Sequence, residues 1–380
     1  MAYKLNKEKI FKVLAIILPV ILLIFIEVLG QFAYYLKNNN FLYEMKTSGE
    51  SGFTIMDKSG LIGFKKNSTV PLKHAKQYSS DLMIDNLGLI HNGKSSRNVS
   101  EKSFNILFYG GSTVEGRGAS SNENTIPALT ENCLRRKSTR AIDVYNLGFS
   151  GDSTLTEHRR IQNSALKYKP SMVIVLDGRN DFHYGYVYEG VKNNTHISSS
   201  ELDKIYNEGV SINSILKNLD TYFFQNLVTY KFLSKLIKSF SSEKNYIEDF
   251  NIDIEDIYKN YIAFHNSSSA YLDTFDIPFY VFLQPTLGYK KLLSNKEKIM
   301  IEESKNTKKK NYNNLLIDFY DLFANSESLN ININVNFNLY NISDLFYDEN
   351  QEVYVDTFHY NDYGNFLISE KICNVIVAND

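Results

Sequence analysis

The sequence has no tryptophan, six prolines and only two cysteines in 380 residues. Two cysteines, Cys133 and Cys373, exclude a disulfide scaffold and a four-cysteine zinc site. They leave open one bridge or two buried thiols. No charge sign prevails: 41 Lys and Arg face 43 Asp and Glu, a net charge of -2. That balance excludes a chain-wide nucleic-acid surface and leaves only local patches. With 43% apolar and 22% charged residues, disorder and collagen-like composition are excluded as well. The seven histidines are scattered and no HExxH occurs, so neither a hydrolytic metal site nor a cofactor is expected. Gly110, Gly111, Gly116 and Gly118 follow a strand-like run, but without a Gly-Lys-Ser/Thr they do not make a phosphate-binding loop. No internal repeat stands out.

What is present begins with an apolar segment. Lys4, Lys7, Lys9 and Lys12 precede 14 residues, Val13 to Ile26, without a charged or hydroxyl side chain, and after Glu27 the run resumes to Leu36. As a helix these 24 residues span ~36 Å, enough for a ~30 Å hydrocarbon core. The expectation is a single-pass signal anchor over residues 1–37, with the lysines cytoplasmic and the rest extracytoplasmic, periplasmic or extracellular. A cleaved signal peptide ending near Val28-Leu29-Gly30 and a buried core helix stay open as other readings.

Residues 38–100 are turn-rich and read as a stem packed on a catalytic domain of residues 101–380. From Phe104 the pattern becomes strand then helix. Phe104–Tyr109, Ile142–Leu147, Met172–Leu176 and Pro278–Leu283 are short apolar runs; helical stretches follow the first two near Ile126–Arg136 and Thr154–Tyr168. Buried strands alternating with helices predict an α/β fold with a mainly parallel sheet covered on both faces. A helical insert is expected at about 190–270. It carries Leu227, Tyr230, Leu233 and Ile237 at helical spacing, lysines 231, 235 and 238 on a solvated face, and a further helix over Ile254–Phe264. Asn330–Leu339 alternates strictly and predicts a half-exposed strand, and Phe366–Val377 a C-terminal helix.

In open parallel sheets, ligands bind where the strands end at their carboxyl side. There lie Ser112 in Gly110-Gly111-Ser112-Thr113, Gly148 and Gly151 after the second run, and Asn180 in Gly178-Arg179-Asn180-Asp181. Asp356-Thr357-Phe358-His359 follows near the C-terminus. Singly these are turns and caps; their order is the signal.

In that order the chain resembles the SGNH/GDSL hydrolase superfamily, whose four blocks supply Ser, Gly, Asn and His. Tyr109–Thr113 is similar to the first block, with Gly111 where many members have Asp; Asn146–Ser153, Gly178–Asp181 and Asp356–His359 are similar to the others. Gly151 is the better match for the second block's glycine and Gly148 its rival. The resemblance implies a three-layer, flavodoxin-like fold. It also implies a serine esterase acting on ester-linked acyl groups, acetyl groups of surface glycans included, through an acyl-Ser112 intermediate. His359 would be the base and Asp356 its partner. Backbone N–H groups of Ser112 and Gly151, with the Asn180 amide, would form the oxyanion hole. Gln284-Pro285-Thr286 and Asn86-Leu87-Gly88 further resemble a membrane-anchored subgroup associated with bacterial surface polysaccharides, though Ile90-His91 stands where an arginine is expected. The partners implied are an acylated small molecule or glycan and, through the anchor, the membrane. An O-acyltransferase using the same residues and a non-catalytic glycan-binding relative are the alternatives.

Overall fold

The structure, a computed structural model, describes residues 7–38, 53–56, 61–70, 81–93, 96–187, 253–307, 312–325 and 335–379. The chain forms two compact units, Met1–Thr54 with Ile197–Asp249, and Ile55–His196 with Phe250–Asp380. In the first, the described secondary structure is one helix, α1 (Lys7–Asn38), with Pro19 inside it. Its side chains Ile17, Leu18, Ile21, Leu22 and Phe25 are exposed. Among the described residues no helix is long and apolar enough to cross a membrane. The side chains of Val13, Leu14, Ile16, Val20 and Leu23, which belong to the apolar run, lie outside that set. So do residues 190–252 of the expected insert, with Leu227–Ile237 and the three lysines.

The second unit is built on five parallel strands: β1 (Phe104–Gly110), β2 (Ile142–Asn146), β3 (Met172–Asp177), β4 (Phe279–Leu283) and β5 (Asn338–Asn341). Their order is β2-β1-β3-β4-β5. Register is set by Phe104 opposite Ile142, Ile106 opposite Met172, Val173 opposite Phe279 and Tyr280 opposite Asn338. This is the doubly wound, flavodoxin-like order, whose switch point falls between β1 and β3. The central strands β1, β3 and β4 are almost wholly buried, which is why they read as continuous apolar runs.

Strand alternation sends the two sets of side chains to different cores. Ile106, Phe108, Ile174, Leu176 and Phe282 pack beneath α3 (Ile126–Lys137) and the C-terminal helix α9 (Asp362–Asn379). There Cys133 of α3 and Cys373 of α9, both fully buried, form a disulfide. Tyr109, Val173, Val175, Val281 and Leu283 pack beneath α4 (Thr154–Ser164), α5 (Arg179–Val187), α6 (Ile254–Asp273) and α8 (Tyr312–Asn325). A short α2 (Ser112–Glu115) follows β1, and α7 (Asn295–Thr307) precedes α8.

The strand expected over Asn330–Leu339 is displaced. Residues 330–334 lie outside the described residues, 335–337 are irregular, and β5 begins only at Asn338. Its extent follows from the partner: Asn338–Asn341 is the segment that meets Tyr280–Leu283 of β4. Alternation signals the tendency to extend, whereas the ladder decides which residues pair.

Candidate active site

β1 ends at Gly110 and the chain turns at once into α2, so Ser112 stands at the carboxyl edge of the sheet. Gly111 packs closely in the turn: a Cβ there would lie 2.5 Å from Asn180 Nδ2, so a larger residue would have to shift that amide. The partner arrives from far along the chain. His359 Nε2 is 2.7 Å from Ser112 Oγ, and His359 Nδ1 is 2.7 Å from Asp356 Oδ2. The loop carrying them is closed by an antiparallel bridge between Tyr354 and Tyr360 and by Val355 N–H donating to His359 O, 2.9 Å. Behind it the Tyr360 hydroxyl donates to Pro285 O, 2.6 Å, so Gln284-Pro285 backs the histidine loop.

Asp356 holds its neighbour in two ways. Oδ1 accepts the N–H groups of Phe358 (2.9 Å) and His359 (2.8 Å), while Oδ2 faces the imidazole. Burial by itself raises a carboxyl group; here the His359 contact and the two N–H bonds outweigh it, and Asp356 lies below the usual carboxylate range. Asp356 does not cap α9, whose first residue is Asp362; Asp362 instead accepts the Ser120 N–H (2.8 Å) and Asn124 Nδ2 (3.1 Å).

The other blocks meet beside Ser112. Asn180, in the first turn of α5, donates from Nδ2 to Asp152 O at 2.6 Å, leaving its second N–H for another acceptor. The amide therefore bonds the neighbour of Gly151 and lies close beside Gly111, the neighbour of Ser112. The two candidate glycines separate here. A Cβ on Gly148 would fall 2.3 Å from Glu115 N, so Gly148 serves close packing against α2. Gly151 adopts φ +86°, the left-handed region that favours glycine. Ser150 N–H donates to the Glu115 carboxylate.

Two groups here carry no sequence signal. Glu115 is buried, three residues after Ser112, and ties the Ser150–Gly151 loop to α2; burial pushes its carboxyl up, against the pull of Ser150 and Arg117. Asp152 pairs with Arg160, and burial raises it to about 6 despite that guanidinium. Neither residue belongs to a recognisable spacing, because each acts through a contact that only folding creates.

Residues 108–273 match the model of the GDSL-like Lipase/Acylhydrolase family. A comparison with curated proteins found no match. Among solved structures, similar ones include the acetyl xylan esterase AlAXEase, at 14% identity and TM-score 0.37, covering 72% of this chain and 99% of that one. Another is a putative lipolytic protein of the G-D-S-L family from Desulfitobacterium hafniense, at 11% and 0.37, covering 72% and 99%. A third is a catalytic mutant of an acetylxylan esterase from Geobacillus stearothermophilus, at 11% and 0.37, covering 73% and 96%.

Proposed function

We propose that this chain, a GDSL-like acylhydrolase, is a membrane-anchored serine esterase that removes acyl groups, acetyl among them, from glycans outside the cytoplasm. The observation that carries the catalytic part is the imidazole of His359, 2.7 Å from Ser112 Oγ on one side and 2.7 Å from Asp356 on the other. Serine is a weak nucleophile until a base takes its proton. His359 takes that proton as Oγ attacks the ester carbonyl, and Asp356 stabilises the imidazolium and fixes its tautomer. Negative charge then gathers on the carbonyl oxygen, where the N–H groups of Ser112 and Gly151 and the free N–H of Asn180 receive it. The imidazolium protonates the leaving alkoxide, leaving acyl-Ser112; the same histidine activates the water that releases the acid.

Two observations support the location. Helix α1 leaves Leu18, Ile21, Leu22, Phe25 and Leu36 exposed, an arrangement suited to lipid. The Cys133–Cys373 disulfide suits an oxidising compartment. A glycan target rests on the subgroup resemblance of Asn86–Gly88 and Gln284–Thr286.

Hydrolysis of an aryl acetate and labelling by a fluorophosphonate test the chemistry. Both should disappear in Ser112→Ala with the melting temperature nearly unchanged; labelling that persists on Ser150 or Ser153 moves the nucleophile. Mass spectrometry of surface polysaccharide from a deletion strain tests the substrate. Gain of O-acetyl groups is the expected result, and their loss would identify the acyltransferase instead.

A further inference from the structure

A second cluster of ionisable side chains is buried at the end of β3. Asp177 closes the strand, its Oδ1 accepting the Tyr261 hydroxyl (2.6 Å) and its Oδ2 lying 3.0 Å from His265 Nε2. Glu157 of α4 reaches the same point: one ligand atom each from Glu157, Asp177 and His265 lie within 4.8 Å of one another. Their exposures are 1%, 3% and 2%. Neither oxygen of Glu157 meets an N–H or O–H donor, and Oδ2 of the neighbouring Asp181 is also unpartnered. The other Asp181 oxygen is occupied by Thr154, through its N–H (3.0 Å) and its hydroxyl (2.6 Å).

Carboxylates facing one another in a dry interior require positive charge between them. A proton shared by Glu157 and Asp177 would satisfy one oxygen of Glu157 and leave the second without a partner. A metal ion engages several oxygens together, and an imidazole nitrogen already stands beside them. Zinc bonds of about 2.0–2.2 Å at tetrahedral angles place two ligands of one ion ~3.3–3.6 Å apart, so ligand atoms that now lie within 4.8 Å of one another draw together by up to about an ångström on binding. Mixed imidazole and carboxylate donors suit zinc, whereas magnesium prefers oxygen ligands and keeps its waters.

We propose that Glu157, Asp177 and His265 form a buried site for one divalent cation of the zinc class. His265 binds it as the neutral ring through Nε2, giving up the Nε2 contact with Asp177 and the proton that nitrogen carries when it donates there. None of the three ligands is hydrogen-bonded to Ser112 or His359, and the ion takes no part in proton transfer; it braces the strand end from which Gly178, Arg179 and Asn180 emerge. Being sealed, the site is filled on folding. The proposal does not depend on the esterase reading.

The test is elemental analysis of purified full-length protein produced with added zinc and passed through a chelator-equilibrated column. About one zinc per chain is expected, with no magnesium. Refolding in chelator should lower the melting temperature, and ZnCl2, but not MgCl2, should restore it. Glu157→Gln should lose the metal and melt lower; if it does not fold, His265→Gln is analysed in its place. Less than one-tenth of a zinc per chain in the wild type overturns the proposal, and with Glu157→Gln as stable as wild type it identifies a shared proton. Full zinc retained by a folded Glu157→Gln or His265→Gln overturns it as well.

Discussion

Two aspartate–histidine pairs sit in the same domain and behave differently. In Asp356–His359 the partners are three residues apart, 2.7 Å between Nδ1 and Oδ2, and the Asp356 side chain is 45% exposed. In Asp177–His265 they are 88 residues apart, 3.0 Å between Nε2 and Oδ2, and both side chains are 2% exposed. The first has a serine on the imidazole's far nitrogen and an opening to solvent, so a proton taken from Ser112 can be passed on. The second has a tyrosine hydroxyl and more carboxylates around it, and no exposed surface. Identical residue types thus serve turnover in one place and cohesion in the other. What decides is the third partner and the access of water.

Asp356→Asn and Asp177→Asn should therefore fail in opposite ways. The first should lower turnover by about four orders of magnitude, because the amide favours the wrong imidazole tautomer, and leave the melt unchanged. The second should cost about 3–5 kcal/mol of unfolding free energy, the usual penalty for removing one partner of a buried pair, with turnover of the folded fraction within tenfold of wild type. Steady-state kinetics and urea unfolding on both variants decide the matter; similar kinetic losses in the two would erase the distinction.

The opposite face of the sheet is cross-linked by the Cys133–Cys373 disulfide, so its cohesion can be probed separately. Cys133→Ser should cost about 2–5 kcal/mol, read from denaturant unfolding, with unchanged kcat below the melting transition.

Asp152 sharpens the comparison from the acid side. Its folded value, about 6, lies above the usual 3.8, so the folded state takes up a proton before the unfolded state does. Stability then rises as the pH falls through this interval and is lost again above about 6, by up to about 3 kcal/mol for this group. Asp356 has the opposite sign: its value is depressed, and its contribution disappears only as the pH falls below the ordinary carboxylate range. Unfolding at pH 7.5 and 4.5 should show the Asp152 gain in wild type and not in Asp152→Asn. The smallest effect is expected from Asp362→Asn, whose carboxylate serves the Ser120–Asn124 loop and not the imidazole; kcat within about threefold of wild type would place it outside the mechanism.

The sequence alone determined the parallel core and the ends of its strands. Within the runs read from the sequence, Asn105–Tyr109, Met172–Leu176 and Phe279–Leu283 are buried on both faces, and such strands are almost wholly apolar, which leaves a pattern anyone can read. It also carried Ser112, Asn180, Asp356 and His359 as candidates, since each sits in a short local motif. Tertiary structure decided the rest. Cys133 and Cys373 pair because α3 and α9 lie side by side on one face, a fact absent from their separation of 240. Gly148 and Gly151 look alike in sequence and part only when Glu115 N is found 2.3 Å from the place of a Cβ on Gly148. β5 starts at Asn338, where β4 offers a free edge, and not at Asn330 where alternation begins. Glu157, Asp177 and His265 share no spacing at all. Local chemistry is written in neighbouring residues, but burial, pairing and the company a charge keeps are properties of distant segments brought together.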